Sequence, residues 1–520
     1  MRYIMVMFLM VGMVSMSAGE ELDRANLQRQ VRRLQEELVQ LQRMVTRMTG
    51  DELVVRQLEK PREDADVDML MRPVQEALAD LAFAMNRLNG KKVFLKPEKM
   101  DARVVDQSGM TYALVRGDGV QNKFVTISNV GTDVVVNPRV VVNGKRNWHQ
   151  IEDMMAEIVK PDMTDREKAL AIWQFLVDNR YHDQPAHNDV ELHDPVRYLN
   201  VYGYGFCDDS ATNLMVLAEQ AGLKARVWGL DGHVVPEVFF DGGWHMLDPD
   251  GEIYYLEDDG HTIASIATLE KRPDIIRKYP SPYYRRTEDL VMLYTTTENN
   301  RVSEWYRENS ETKHTMNFSL RPGESLMRGY DHWGHYFSSR YLREPKKYGN
   351  GRFVFEPVWK DNVYQKGVTQ VVGLQTKEMG KEWVLVSKEK PGELVYRFES
   401  PYPYLDGRLW VEGEGQVGVA FSEDGETWMS VWRSKQSDEV RATVPLGVYF
   451  RNGYGRPMYV YYVKVQLDGT LRRLRFESDV QVAPMSLPAL EVGENKVHYQ
   501  DASKTRQVEV GFGYDLESAK

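Results

Sequence analysis

Two periods of apolar spacing alternate along this chain. From Leu27 to Met48, the residues Leu27, Val31, Leu34, Leu38, Leu41, Val45 and Met48 are spaced by four and three in turn. This is an a/d seam of about three heptads. Thr49-Gly50 interrupts it, Pro61 ends the next stretch, and the seam resumes at Val74, Leu78, Leu81, Met85 and Leu88 until Asn89-Gly90. Residues 20–90 therefore read as a coiled-coil region. Its helices either fold back as a hairpin or associate between chains, and the strict period favours a homo-oligomer. Period two then takes over. Lys123–Ser128 and Val134–Val142 alternate, with turn signals at Asn129-Val130-Gly131 and Asn143-Gly144, so residues 92–147 read as a small β domain. Helical spacing returns over Ile151–Val159. It recurs after Thr164, which forms a capping box with Glu167 ahead of Ala169, Ile172, Trp173 and Leu176.

Beyond residue 260 the pattern is strand-like and interrupted. Residues 261–383 read as a connecting mixed or β region. His314–Leu320 reads as a strand there, and Tyr330, His332, Trp333, His335 and Tyr336 form an aromatic–imidazole cluster suited to stacking on sugar faces or to packing between domains. Short alternating runs at Glu393–Phe398, Gly407–Val411, Gly418–Phe421, Tyr459–Val465 and Leu471–Phe476 predict an antiparallel β-sandwich over 384–485. Ser422–Trp428 resembles the aspartate-box turn of carbohydrate-linked β proteins, a turn-stabilising device. Residues 486–520 read as a polar tail, mobile beyond Tyr499. At the other end, Arg2 precedes an apolar run from Tyr3 to Val14, followed by the small residues Ser15, Ser17, Ala18 and Gly19. Residues 1–19 are the pattern of a signal peptide, which predicts a secreted or periplasmic protein. No later run is long and apolar enough to form a transmembrane segment.

Composition narrows the class. A length of 520 residues with 42% hydrophobic and 28% charged residues is that of a globular chain of about three or four domains. The fold class expected is multidomain α+β. A net charge of −11 without a basic stripe argues against a nucleic-acid partner. The single cysteine, Cys207, rules out an internal disulfide and a cysteine-based metal site. A core thiol, an intermolecular bridge and a nucleophile remain.

The setting of Cys207 selects the nucleophile. It follows the turn Gly203-Tyr204-Gly205-Phe206 and opens a helical pattern with Ala211, Leu214, Met215, Leu217 and Ala218 on one face. A thiol at a helix N-terminus feels the positive end of the dipole, which favours the thiolate. Downstream, His233 opens an alternating run to Phe240, and Asp241-Gly242-Gly243 signals a hairpin turn into Trp244–Asp248. A two-residue loop pairs Phe240 with Gly243, which makes His233 the diagonal, same-face neighbour of Asp248; a three-residue loop puts them on opposite faces. Cys207, His233 and Asp248 are thus candidates for a catalytic triad. Tyr202, Tyr204, Asp208 and Trp228 are candidates to line the substrate cleft, although for the three aromatics packing in the core is the favoured role. Three histidines and three aspartates between Tyr181 and Pro195 match no established zinc signature. They read as a cleft-lining loop, with no metal and no cofactor assigned.

Gly205-Phe206-Cys207-Asp208-Asp209-Ser210-Ala211, Ala221-Gly222-Leu223-Lys224-Ala225-Arg226, Gly232-His233 and Trp244-His245-Met246-Leu247-Asp248-Pro249 together resemble the transglutaminase-like superfamily. The resemblance implies a papain-like α+β core over about 148–260, with Cys207 as nucleophile, His233 as base and Asp248 as the orienting carboxylate. Val235 stands where many members carry an aromatic. What the resemblance implies is a cysteine enzyme that cleaves or transfers an amide, with hydrolysis favoured over cross-linking; the substrate expected is a protein or peptide, a glycan-associated one included. The competing expectation is a non-catalytic scaffold, or a glycan- or protein-binding protein built on the same core. Paired-carboxylate carbohydrate chemistry ranks last, because no such pair stands out.

Overall fold

A computed structural model describes residues 99–105, 109–183, 190–278, 287–298, 300–331, 334–336, 347–388, 391–435, 437–450, 457–503 and 507–517. The predicted signal peptide and coiled coil lie outside the described residues, as do His187, Asp189, His332 and Trp333.

The alternating segments at the start of this region pair with strands from its far end. Strand Gly119–Asn129 bonds on one edge to Val508–Glu517 and on the other to Glu324–Gly329. Val508–Glu517 pairs in turn with Lys99–Val105, while Glu324–Gly329 leads through Gly351–Phe355 to Met458–Val480. All belong to one sheet of 12 strands among the described residues. A smaller sheet seats Gly493–Gln500 between Gly109–Val115 and Arg139–Val142. The described strands within 99–142 thus pair with strands from 319–329 and 493–517 rather than with one another, and Gly493–Gln500 and Val508–Glu517 are strands where a polar tail was expected. Alternation marks a strand, but it does not say which edge satisfies the strand's N–H and C=O groups.

The C-terminal runs are also fewer and longer than expected. Glu393–Phe398, Gly407–Val411 and Gly418–Phe421 fall within one bent strand, Gly392–Ser422, and the last two predicted runs fall within Met458–Val480. Gly392–Ser422 lies along both edges of Met458–Val480: Val395 and Ala420 both face Lys464. Register shifts near Glu399–Tyr404 and Gly413–Gly415 bend the strand without ending it. Pro and Gly there read as turns in the sequence but act as bends. His314–Leu320 is a strand only at Ser319–Leu320. The Ser422–Trp428 turn closes as expected: Asp424 accepts from the Glu426 and Thr427 N–H groups at 2.8 and 2.7 Å.

Within this frame Ile151–Val302 builds a mixed α/β unit. The helix Asp165–Asn179 starts at the predicted capping box of Thr164 and Glu167. Four antiparallel strands follow in the spatial order Gly243–Met246, His233–Phe240, Lys224–Leu230, Arg301–Val302. Ala225, Val227, Val238 and Phe240 join the main core with Leu214 and Leu217 of helix Cys207–Gln220. Leu230, Val235 and Met246 instead join a second core with helices Ile266–Lys271, Pro273–Lys278 and Thr287–Thr295. The unit therefore runs past the predicted end at 260. Each fully buried Leu or Val side chain contributes about 1.5–3 kcal/mol here. Glu237 is buried in the second core's wall, where it accepts from Arg226, from the Trp228 indole at 2.7 Å and from the Ile266 N–H at 2.8 Å. It ties the sheet to the helix that Ile266 opens.

Candidate active site

Helix Cys207–Gln220 is more deeply buried than its apolar stripe predicts, with every residue from Asp209 to Ala218 inside. Its polar side chains tolerate this by bonding to backbone. The Ser210 hydroxyl donates to Phe206 O at 3.1 Å, Thr212 to Asp208 O at 2.7 Å, and Asn213 to Leu192 O and Asp209 O at 2.6 and 2.7 Å. A helix enclosed in this way holds its first residue in a fixed place. Asp209 completes the N-terminus by accepting from the Phe206 N–H at 2.8 Å. It leaves no room at Gly205, where a Cβ would lie 2.6 Å from the carboxylate.

The hairpin has the two-residue loop. Asp241 and Gly242 both adopt positive φ (49° and 79°), and the ladder pairs Gly243 with Phe240 and Met246 with Glu237. Pairing ends there, and Asp248 instead exchanges backbone bonds with Ile253 at 2.9 and 3.0 Å. His233 Nε2 lies 2.8 Å from Asp248 Oδ2. The other carboxylate oxygen accepts from the Asp250 and Gly251 N–H groups, each at 2.9 Å. Close approach excludes a Cβ at Gly251, which would sit 2.7 Å from Asp248 Oδ2. Trp173 of the preceding helix bonds the Asp248 carbonyl at 2.9 Å. The thiol of Cys207 is half-buried and hydrogen-bonded to His233. The structure thus brings Cys207, His233 and Asp248 together. Burial pushes the His233 imidazolium toward deprotonation, but the Asp248 charge and hydrogen bond, with those of Cys207, outweigh it and hold the pKa well above the ordinary imidazole value.

Three groups here were not singled out in the sequence. Asp250 places an oxygen within 4.8 Å of the Cys207 sulfur and a His233 nitrogen. Arg180, just past the end of helix Asp165–Asn179, donates to Asp250 Oδ1 at 2.7 Å and to the Pro249 carbonyl at 2.5 Å. Burial raises the Asp250 pKa, yet the His182 bond and the charges of Arg180, His182 and His233 prevail and keep it below the usual carboxylate range. Tyr306, from the segment read as a connector, lies close enough to Asp208, Cys207 and Asp209 for their charges to act on it. Burial first and those charges second push its phenol up to about 12. Only Asp250 had a local signal, since it directly follows the Leu247-Asp248-Pro249 motif.

The cleft candidates divide. Tyr202 and Tyr204 are core residues, the role favoured for them over the cleft. Tyr202 bonds Glu191, and the Tyr204 hydroxyl accepts from Gln481 at 3.1 Å. Their hydroxyl groups find partners inside, so the rings are buried whole. Trp228 is bound to Glu237 and packs on the second core. Asp208 is half-buried beside the thiol. The described members of the predicted loop separate: His182 bonds Asp250, His193 bonds the Asn309 carbonyl at 3.1 Å, and Asp194 caps Val196 and Arg197. Among the described residues two groups offer metal-ligand atoms within 4.8 Å of one another, Cys207–His233–Asp250 and His193–Asp208–Asp209. In both, the donors are also engaged with protein partners, such as Asp209 with Phe206 and His233 with Asp248.

Asp209 carries a pH-dependent cost. Burial first, then the neighbouring Asp208 charge, push it up to about 8, so at neutral pH it is mostly uncharged and does not oppose a thiolate. A raised folded pKa makes its contribution complete below the unfolded value and lost as pH rises toward 8. Asp209→Asn keeps the acceptor for Phe206 N–H but cannot ionise. Urea unfolding at pH 5 and pH 9 is expected to show wild type losing about 2–4 kcal/mol more than the variant between those values. Parallel losses in the two proteins contradict this.

Residues 152–249 match the sequence model of the transglutaminase-like superfamily, so this segment is a transglutaminase-like domain. No curated protein matches the chain. Solved structures similar to it include family 29 carbohydrate-binding modules. One is 13% identical, covering 28% of this chain and 88% of that chain with a TM-score of 0.16. A variant complexed with cellulohexaose is 14% identical, covering 30% and 91% with a TM-score of 0.14. Likeness at that level carries no argument about fold or ligand.

Proposed function

We propose that this protein is a cysteine-dependent enzyme that forms a thioacyl intermediate from an amide of a protein or peptide and passes the acyl group to water. The observation that carries this is the hydrogen-bonded series Cys207–His233–Asp248, with the thiol at a buried helix N-terminus and the imidazole 2.8 Å from its carboxylate. His233, its pKa raised by Asp248 and Cys207, is the acid–base partner of the thiol, and proton transfer between them supplies the attacking thiolate. The thiolate attacks the carbonyl carbon, and the Cys207 N–H at the helix start is placed to stabilise the oxyanion. His233 then gives its proton to the leaving amine as the C–N bond breaks, and Asp248 holds the imidazole throughout.

The test is alkylation of Cys207 by iodoacetamide as a function of pH, in wild type and His233→Ala. Expected is rapid labelling of wild type well below the pH at which an ordinary thiol ionises, near 8.5, and loss of that reactivity in the variant. Slow labelling, equal in both proteins, overturns the proposal.

A further inference from the structure

A second His–Asp pair stands beside the first. His182 is aligned with Gly205 in a short parallel pairing, two residues before Cys207, and its ring packs on Phe206 with centroids 5.5 Å apart. Its Nδ1 lies 2.9 and 3.1 Å from the two oxygens of Asp250, the carboxylate that also approaches the Cys207 sulfur. The two imidazoles differ in access. The His233 side chain is 4% exposed and bonded to Asp248 and Cys207, whereas the His182 side chain is 48% exposed. With the Nδ1 proton donated to Asp250, the basic atom of neutral His182 is Nε2. Arg180 also donates to Asp250 Oδ1 at 2.7 Å, so the carboxylate that orients His182 is itself held.

We infer that His182 is a second catalytic base, which activates the water that hydrolyses the thioacyl intermediate. This role rests on the cysteine chemistry proposed above and divides it: His233 serves acylation and His182 serves deacylation. In the step, water transfers one proton to His182 Nε2 as its oxygen bonds to the thioester carbonyl carbon. The tetrahedral centre collapses, the C–S bond breaks and its electron pair returns to sulfur. The products are the carboxylic acid and the Cys207 thiolate, and the proton on His182 passes to solvent. The buried imidazole does not have to turn toward water.

The test is nitrophenolate release from 4-nitrophenyl acetate by the full chain, followed before and during steady state. His182→Gln is the informative variant, because its amide still donates to Asp250 but offers no basic nitrogen. Expected is a burst of one nitrophenolate per Cys207 at a rate close to wild type, then a steady-state rate lower on the order of 100-fold. In His182→Ala the same slow phase is expected to accelerate with added imidazole. Equal steady-state rates in wild type and His182→Gln overturn the inference, as does a burst that slows in step with the steady state. Wild type without any Cys207-dependent release removes the cysteine chemistry itself, which separates that failure from the failure of the second base.

Discussion

Asp248→Asn lowers the Cys207-dependent turnover of an activated ester on the order of 10⁴-fold, with KM little changed and the protein still folded. The size of the effect follows from how the carboxylate is held. One oxygen accepts two backbone N–H groups, from Asp250 and Gly251, each at 2.9 Å. An asparagine in this place must put its carbonyl oxygen there, because an NH₂ group would face two donors. Its NH₂ then points at His233 Nε2, which becomes the acceptor, and the imidazole proton is forced onto Nδ1. In that tautomer the ring cannot take a proton from the thiol. The variant also loses the carboxylate that raises the His233 pKa, so thiolate labelling at low pH disappears with turnover. The measurement is kcat and KM for 4-nitrophenyl acetate alongside a thermal melt. A variant within about 10-fold of wild type means that Asp248 does not set the tautomer.

The second large effect is on stability. Arg180→Leu is expected to cost about 3–5 kcal/mol in urea denaturation, because it takes the guanidinium from a buried carboxylate and leaves it only the half-exposed His182. The Arg180 and Asp250 side chains are 1% and 8% exposed, and the guanidinium also holds the Pro249 carbonyl. Adding Asp250→Asn removes the stranded charge and is expected to recover about 2 kcal/mol, a coupling that separates the pair from simple loss of packing. The pH dependence has a definite sign. The Asp250 pKa is depressed in the folded protein, so its contribution is present above the unfolded carboxylate value and is lost as pH falls through the folded one. The gap between wild type and Arg180→Leu is therefore largest at neutral pH and narrows in acid. An unchanged urea midpoint at pH 7 contradicts this account.

Legibility in the sequence followed the range of the interaction. The capping box at Thr164, the start of the helix at Cys207 and the type of turn at Asp241-Gly242 are decided by residues within a few positions of one another, and each is found where the pattern puts it. The hairpin register followed from the turn alone as far as Met246, whereas Asp248 is held by its own backbone bonds to Ile253. Arg180 and His182 left no such mark. They meet Asp250 across 70 and 68 residues of chain, and an arginine at a helix end reads as an ordinary solvated charge. For Tyr202 and Tyr204 the sequence left cleft and core open with the core favoured, and their bonded hydroxyl groups inside the protein decide for the core.

The same division holds for the whole described chain. By itself the sequence determined the capped helix after Thr164, the cysteine helix, the hairpin turn and the transglutaminase-like motif, since backbone propensity, turn chemistry and side-chain period are local properties. The tertiary structure decided which strands are neighbours. It set Val508–Glu517 against Gly119–Asn129 and threaded Gly392–Ser422 along both edges of Met458–Val480. It also brought Arg180 and His182 to Asp250, and Tyr306 to the start of the cysteine helix. Every strand edge presents the same N–H and C=O groups, so pairing is selected by the core that the assembled side chains can fill, and that core exists only once the chain has folded.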